Sequence, residues 1–317
     1  MMIQYIIFIL IGFYLLINGA NLFIDGIVSI SANLKIPKLI ISLSIVAFGT
    51  NTPELFISFK SFLSGNSEIF MSNIVGSTVV NLMLIIGISA LIRPLKIKSE
   101  TIKKQLPLHL IIIILFSLLF LDKIFNNTIN TISRNDALIL FIIFVGFVIY
   151  IYKYAKNSNK EIIKESPKWN LPKSIFIGII GLICVSIGSD IALNNCVNIA
   201  SALHISQKII TMIVLVIGTS MPELIMAITS VKKGEYDIII GDIIGTNIFN
   251  IGFVLTLPII IYGSFSTTSF NIIDIFIMFL GGLMIYIFAR EDRKLDKLEG
   301  FTMLSMFIIY YAYILLI

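Results

Sequence analysis

Apolar residues along this chain come in long, continuous runs that short polar stretches separate. These runs lack the period-two alternation of membrane β-strands, and most have the roughly 20 residues that a helix needs to cross a bilayer. They fall near residues 3–31, 37–63, 69–91, 106–122, 136–154, 174–193, 207–231, 238–262, 269–289 and 299–317. The pattern therefore predicts an all-α polytopic membrane protein with ten transmembrane helices.

Composition agrees with this prediction. Hydrophobic residues make up 57 % of the 317 residues and charged residues only 13 %, whereas about a quarter of the residues of a soluble domain are charged. A water-soluble globule is therefore excluded. The net charge of +5 does not indicate a nucleic-acid partner, because the basic residues lie in short loops between apolar runs. The lipid bilayer is the expected surrounding.

The basic residues are distributed unevenly between the two sides of the predicted membrane. With the N-terminus outside, 19 of the 23 Lys and Arg residues lie in cytoplasmic loops, which is the bias of cell-membrane proteins. Both termini are therefore expected outside a cell (inner or plasma) membrane. The longest polar stretch divides the spans five and five, giving a first repeat at 1–154, a cytoplasmic linker at 155–173 and a second repeat at 174–317.

The two halves are copies of each other. At an offset of 169 residues, IPKLIISLSIVAFGTNTPEL (36–55) falls on ISQKIITMIVLVIGTSMPEL (205–224) without a gap. The same offset places NIVGSTVVN (73–81) on DIIGTNIFN (242–250). Because each half holds an odd number of spans, the second copy enters the membrane from the opposite side. Such inverted repeats are typical of secondary transporters that bind their substrate between the copies, near the middle of the membrane.

Two carboxylates occupy equivalent positions in the repeats. Glu54 and Glu223 lie in the middle of predicted spans two and seven, where an unpaired charge costs at least about 2.5 kcal/mol. A pair of protonated, hydrogen-bonded structural acids is the alternative. Two acids in register instead favour a shared cation.

A proline precedes each of these acids and predicts a break in its helix. Pro53 and Pro222 each remove one backbone hydrogen bond and clash with the carbonyl four residues back, at Gly49 and Gly218. Unwound backbone at membrane depth can coordinate cations. The carbonyl groups expected to turn into a cavity are those of residues 47–50 and 216–219; an ordinary proline kink is the alternative.

Polar side chains on the next span of each half share one helix face. Ser77 and Asn81 are four residues apart, as are Thr246 and Asn250, so each pair can line the same cavity. Helix-to-helix hydrogen bonding is the alternative role for such residues. Asn51 and Ser220 add side-chain oxygens next to the breaks.

An all-oxygen ligand set suits a hard cation such as Ca²⁺, whose charge two carboxylates balance. The only histidines, His109 and His204, are expected at the membrane interface, away from the acids. Asp242, opposite Asn73 in the repeat, is expected near the cytoplasmic end of its span, as an entrance charge or as an acid at a helix N-terminus. Asp25 and Asp190 are expected to be structural or interfacial.

The pattern G-T-x-x-P-E followed by G-S/T-x-x-x-N, present once in each half, resembles the two alpha repeats of the cation/Ca²⁺ exchanger superfamily, in its sodium/calcium exchanger branch. The resemblance implies that Glu54 and Glu223 bind Ca²⁺ and share Na⁺ together with the carbonyls of Thr50 and Thr219. It further implies Na⁺ ligands at the following residues, the first two through backbone only: Ala47, Val216, Ser77, Asn81, Ser220, Thr246 and Asn250.

The chain departs from the family pattern at two of these positions. Asn51 stands where many relatives have Ser. This asparagine is expected to alter one Na⁺ site, and an asparagine near this point is similar to the proton-coupled branch. Asn250 stands where potassium-dependent members have Asp, which argues against K⁺ cotransport. The linker at 155–173 is too short for the Ca²⁺-sensing domains of animal exchangers.

The resemblance implies an antiporter that extrudes Ca²⁺ in exchange for Na⁺ by alternating access, with a 3:1 ratio and as a monomer. Its transported ions are Ca²⁺ and Na⁺, and no cofactor is expected. Spans one and six are expected to slide across the other helices only when cations neutralise the pocket. The alternatives are H⁺/Ca²⁺ exchange through the same glutamates and a channel. An enzyme is not expected, because the sequence offers no recognisable nucleophile and base.

Overall fold

The computed structural model describes residues 2–121, 130–157, 166–203, 216–267 and 272–316. The predicted linker lies partly outside these ranges, at 158–165, as do His204 and the first part of predicted span seven, up to residue 215. Helices account for most of the described chain, as the apolar runs predict.

The first half starts with one long helix and continues with shorter ones. Its α-helices are α1 (Met2–Leu34), α2 (Lys38–Ile41), α3 (Ala47–Thr50), α4 (Thr52–Leu63), α5 (Ser67–Met71), α6 (Ser77–Val79), α7 (Ile86–Ile92), α8 (Leu106–Phe120) and α9 (Arg134–Asn157). Wider π-helical turns join several of them: π1 (Ser42–Val46), π2 (Ser72–Gly76), π3 (Val80–Ile85) and π4 (Thr101–Gln105). Two short strands are β1 (Leu95–Lys96) and β2 (Asn130–Ile132).

The second half repeats this plan. Its helices are α10 (Leu171–Ala202), α11 (Val216–Thr219), α12 (Met221–Lys233), α13 (Tyr236–Phe249), π5 (Asn250–Val254), α14 (Thr256–Tyr262), α15 (Ile272–Asp292) and α16 (Lys297–Leu316). Its strands are β3 (Phe265–Thr267) and β4 (Lys294–Leu295). π5 begins at Asn250, and π3 begins one residue before the equivalent Asn81. π turns of this kind are frequent at functional sites.

Seven helices in the described residues are long and apolar enough to cross a membrane. A further pair, Lys38–Thr50 and Glu54–Leu63, passes the same test as one span bent by 46°, which gives up to eight. The bend lies where the sequence predicts a break. The predicted count of ten stays a prediction, since part of span seven is outside the described residues and α16 is not one of the seven.

Helices α1 and α10 pack closely along a row of glycines. A Cβ atom added at Gly12 would lie 2.8 Å from the Gly188 carbonyl oxygen, and one added at Gly181 would lie 2.4 Å from the Phe23 nitrogen. Farther along, Gly26 meets Gly178. Small residues allow this backbone approach between apolar helices. The two helices therefore form a pair on the outside of the bundle, where many of their side chains are exposed.

The centre of the bundle comes from spans three and eight. The stretches Ile69–Ile92 and Tyr236–Tyr262 are the most buried of the candidate spans, and their apolar side chains belong to one large core. Helix α13 lies directly on π1 and α3, because Gly241 and Gly245 bring its backbone against Leu39 and Leu43. This contact joins the two repeats through the core.

Loops predicted on the same side of the membrane meet in the fold. Strand β1 pairs with β4, both on the predicted cytoplasmic side, and β2 pairs with β3, both on the opposite side. The Asp25 carboxylate forms salt bridges with Lys168 and Lys233. The Lys38 ammonium forms another with the Glu235 carboxylate at 2.8 Å. All of these residues lie in segments predicted on one side of the membrane, and the contacts agree with that grouping. Which side faces the cytoplasm stays a prediction.

Candidate cation site

The first predicted helix break is present between α3 and α4. Asn51 leaves the helical conformation with φ −81° and ψ 2°, and Pro53 lies in the first turn of α4. Since Pro53 has no N–H, the Gly49 carbonyl lacks its usual helical donor. The backbone N–H of Asn51 still reaches the Ala47 carbonyl at 3.2 Å. The chain therefore bends at this point without extended unwinding.

Glu54 follows the break and is buried. It lies in the first turn of α4, where the positive end of the helix dipole favours a carboxylate, and it is 2 % exposed. Its Oε2 atom has no hydrogen-bond partner among the described residues. Asn73 donates to the Glu54 carbonyl and to the Ser58 hydroxyl, each at 2.8 Å. This amide fixes the backbone of the glutamate and leaves its side chain free for a cation.

The second repeat has the same break between α11 and α12. Ser220 adopts φ −87° and ψ 8°, and Pro222 lies in the first turn of α12. Glu223 is 1 % exposed, and within the described ranges neither of its carboxylate oxygens has a hydrogen-bond partner. A buried carboxylate with both oxygens unsatisfied needs a cation or a proton.

Hydrogen bonds join the predicted ligands of one repeat to those of the other. Asn51 donates to Thr246 at 2.9 Å, and Asn250 donates to Ser77 at 3.2 Å. The side-chain oxygens of Asn51 and Asn250 remain without a partner among the described residues. These bonds bring the four polar side chains next to each other, as the repeat predicts.

Asn81 lies in the same buried layer but takes its partner from a residue that the sequence analysis did not consider. Its amide donates to Asn247 at 3.1 Å, and its Oδ1 has no partner in the described part of the chain. Asn247 in turn lies 3.3 Å from the Nε2 atom of His109.

The prediction of an interfacial His109 is wrong. The side chain is fully buried on α8, because α8 packs on the central helices and the Asn247 amide supplies a polar partner for the imidazole. The histidine therefore lies behind Asn81. His204 is outside the described residues.

Two of the predicted backbone ligands are less free than the sequence suggests. The Ala47 carbonyl accepts hydrogen bonds from the backbone N–H and from the side-chain amide of Asn51. The Thr50 hydroxyl lies 3.3 Å from the same carbonyl oxygen. The Gly218 carbonyl lies 3.5 Å from the Ser189 hydroxyl. The causes differ between the repeats. The Ala47 carbonyl keeps its backbone donor and gains the Asn51 amide, whereas at Gly218 the Ser189 hydroxyl approaches the carbonyl whose backbone donor Pro222 removes. The side chains of Val216 and Pro53 are outside what the structure describes.

Asp242 is expected near the cytoplasmic end of its helix, but the structure places it elsewhere. Helix α13 is buried from Ile238 to Phe249, and Asp242 is only 4 % exposed. Its carboxylate lies beside Thr50 and Thr246 and close enough to both Glu54 and Glu223 to interact electrostatically. The expectation is wrong because Asp242 is the seventh residue of α13, which starts at Tyr236, and so lies more than one turn inside a helix that is packed within the bundle.

The chemistry of this site is that of a hard-cation pocket. Its donors are carboxylate, amide and hydroxyl oxygens, which suit Ca²⁺ and other hard ions and not soft metals. Within the described ranges, no group of three or more His, Cys, Asp or Glu side chains is arranged to hold a metal ion. A cation here therefore requires amide and hydroxyl oxygens in addition to the carboxylates.

Comparisons with known proteins agree with this chemistry. The family model described as "Sodium/calcium exchanger protein" matches residues 4–153 and 173–316. The "Putative antiporter CaxA" of Alkalimonas amylolytica is 32 % identical over 317 residues, covering 96 % of each chain. The "Inner membrane protein YrbG" of Escherichia coli is 30 % identical over 262 residues, covering 80 % of this chain and 78 % of that protein.

Solved structures of a sodium-calcium exchanger have the same fold. The exchanger NCX_Mj, in crystals soaked with 10 mM Na⁺ and zero Ca²⁺, superposes with a TM-score of 0.84 at 27 % identity. The match covers 98 % of this chain and 99 % of that one. The family model covers both repeats and the site between them. This chain belongs to the sodium/calcium exchanger protein family.

Proposed function

We propose that this protein is a Na⁺/Ca²⁺ antiporter that extrudes Ca²⁺ in exchange for Na⁺. The observation that carries the proposal is the pair Glu54 and Glu223: two buried carboxylates in register, each at a helix break, with oxygens that no described group satisfies. Both ions are expected to compete for this one pocket, which explains how the movement of one ion is coupled to the other.

The proposed ligands are the residues that the repeat analysis predicts. Glu54 and Glu223 bind Ca²⁺ and share Na⁺. Oxygens of the remaining residues complete the Na⁺ sites: Thr50, Thr219, Asn51, Ser220, Ser77, Thr246, Asn81, Asn250, Ala47 and Val216. The helix breaks at Pro53 and Pro222, with Gly49 and Gly218 one turn before, shape the pocket.

The proposed mechanism is alternating access with a 3:1 ratio of Na⁺ to Ca²⁺. Three Na⁺ ions carry one more positive charge than Ca²⁺, so exchange is electrogenic. The pocket changes the side of the membrane to which it opens only when cations occupy it, because uncompensated charge at membrane depth costs several kcal/mol. The closely packed pair α1 and α10 slides across the other helices during this step.

The proposed setting is a cell membrane, with ten spans in two inverted five-helix repeats and both termini outside. The repeats are 1–154 and 174–317, joined by the linker 155–173. One chain holds all the proposed ligands, so a monomer suffices for transport.

The test is ⁴⁵Ca²⁺ uptake into proteoliposomes loaded with Na⁺, repeated with K⁺ or with choline and an imposed pH gradient. We expect uptake only with internal Na⁺. Uptake driven by the pH gradient alone would contradict Na⁺ coupling and favour H⁺/Ca²⁺ exchange, for which Asn51 is the relevant departure. Uptake without any counter-ion would instead indicate a channel.

A further inference from the structure

The pocket contains a carboxylate that the repeat does not duplicate. Asp242 stands opposite Asn73 at the offset of 169 residues. Asn73 acts as a structural amide, since it donates to the Glu54 carbonyl and the Ser58 hydroxyl. An ionised aspartate has no proton to donate, so Asp242 cannot form the equivalent bonds.

The partner of this amide has changed in the second repeat as well. The position equivalent to Ser58 is Ala227, a buried residue without a side-chain hydrogen-bonding group. Both members of the first repeat's side-chain pair are therefore replaced together. Asp242 is consequently not the structural counterpart of Asn73, although it occupies the equivalent helix position.

The position of Asp242 places it with the pocket ligands. Asp242, Thr246 and Asn250 follow each other at intervals of four residues and so share one face of α13 and π5. Thr246 accepts from Asn51 across the repeat interface, and Asn250 donates to Ser77. Asp242 therefore lies in the row that meets the other repeat.

One oxygen of the Asp242 carboxylate is unsatisfied. Asp242 is 4 % exposed, and its Oδ1 atom has no hydrogen-bond partner in the described residues. The Asn51 Oδ1 atom beside Thr246 is equally without a partner within the described ranges. One carboxylate oxygen and one amide oxygen, each buried and without a partner in that part of the chain, are the kinds of oxygen ligand that a hard cation prefers.

We propose that Asp242 is a third carboxylate ligand of the pocket and balances the charge of one Na⁺ ion. This inference rests on the proposed function. Three carboxylates match three Na⁺ ions, whereas one Ca²⁺ ion leaves one negative charge. The loaded states still differ by one charge, so exchange remains electrogenic. Asp242 thus acts on the number of Na⁺ ions that the pocket accepts.

The test measures equilibrium ⁴⁵Ca²⁺ binding to the purified full-length protein while Na⁺ is titrated. Asp242→Asn removes the charge with little change in volume. Asp237→Asn is the matched control, because Asp237 is on the same helix but pairs with Lys98 outside the pocket. Size-exclusion chromatography checks that each variant is monodisperse.

In wild type and Asp237→Asn we expect steep displacement of Ca²⁺ by Na⁺, with a Hill coefficient above two. In Asp242→Asn we expect the Hill coefficient to fall by about one. The amount of Ca²⁺ bound per chain at saturation should stay the same, since the remaining carboxylates balance one Ca²⁺. If Asp242→Asn is not monodisperse, Asp242→Ser is measured with the same expected and contradicting results.

An unchanged Hill coefficient would overturn the inference. So would loss of Ca²⁺ binding by a monodisperse variant, because Asp242 would then serve Ca²⁺ or the fold. Failure of the proposed function looks different: wild type itself would bind no Ca²⁺, or Na⁺ would not displace it.

Discussion

The two repeats place the same backbone break and the same glutamate in the pocket but support them differently. In the first repeat, Asn73 bonds to the Glu54 carbonyl and to Ser58. In the second repeat, the equivalent positions hold Asp242 and Ala227, and both carboxylate oxygens of Glu223 lack a partner among the described residues. The duplicated residues thus give both glutamates the same position, whereas the unmatched ones give them different surroundings.

The largest expected effect concerns what the repeats share. We expect Glu54→Gln and Glu223→Gln each to lower Na⁺-dependent Ca²⁺ uptake by at least about 100-fold, or about 2.7 kcal/mol, because each removes a carboxylate that is proposed to bind Ca²⁺ directly. Uptake into proteoliposomes is the measurement, with the exposed Glu291→Gln as control. Normal uptake by one of the two variants would show that the repeats do not contribute equally.

The next effect concerns the contact between α1 and α10, which is also duplicated, since Gly12 and Gly19 are equivalent to Gly181 and Gly188. Gly181→Leu should destabilise the protein by about 2–3 kcal/mol, because its Cβ would meet the Phe23 backbone at 2.4 Å. Thermal unfolding in detergent measures this. Gly146→Leu is the control, as nothing lies within 4 Å of a Cβ there.

A smaller effect should distinguish the structural role of Asn73 from that of Asp242 at the equivalent position. Asn73→Asp removes two donated hydrogen bonds in the buried first repeat and should cost about 1–3 kcal/mol of stability. Asp242→Asn removes no donated bond, so its unfolding temperature without added cations should not fall below that of wild type. Thermal unfolding of both variants tests the contrast. Equal destabilisation would mean that the two positions have the same structural role.

The smallest expected effect concerns Asn51, whose counterpart is Ser220. The Asn51 amide donates to Thr246 and to the Ala47 carbonyl, and so occupies two oxygens that a cation needs. Asn51→Ser should lower the Na⁺ concentration for half-maximal exchange by about threefold, or about 0.65 kcal/mol. Na⁺-dependence of ⁴⁵Ca²⁺ flux gives the value. A higher Na⁺ requirement would instead mean that the Asn51 oxygen binds Na⁺ better than a serine hydroxyl does.

The repeat in the sequence predicts much of the site. An offset of 169 residues identifies both helix breaks and both glutamates, and the bonds from Asn51 to Thr246 and from Asn250 to Ser77 join residues that it singles out. Proline chemistry predicts the place of each break, because a missing N–H acts locally. Local signals of this kind can be identified in a single sequence.

Other features depend on packing and escape the sequence analysis. Counting residues places Asp242 close to a helix end, yet α13 is buried from Ile238 to Phe249. His109 is buried because α8 lies on the central helices, where Asn247 contacts it. A direct sequence signal for Asp242 did exist: Ala227 replaces Ser58 at the same offset at which aspartate replaces Asn73.

The central claim is that Glu54 and Glu223 form one pocket in which Na⁺ and Ca²⁺ compete. Equilibrium ⁴⁵Ca²⁺ binding to wild type, Glu54→Gln and Glu223→Gln, each titrated with Na⁺, tests it most directly. We expect complete displacement of Ca²⁺ by Na⁺ in wild type and loss of high-affinity Ca²⁺ binding in both variants. Ca²⁺ binding that persists at saturating Na⁺, or that survives intact in either variant, would contradict it.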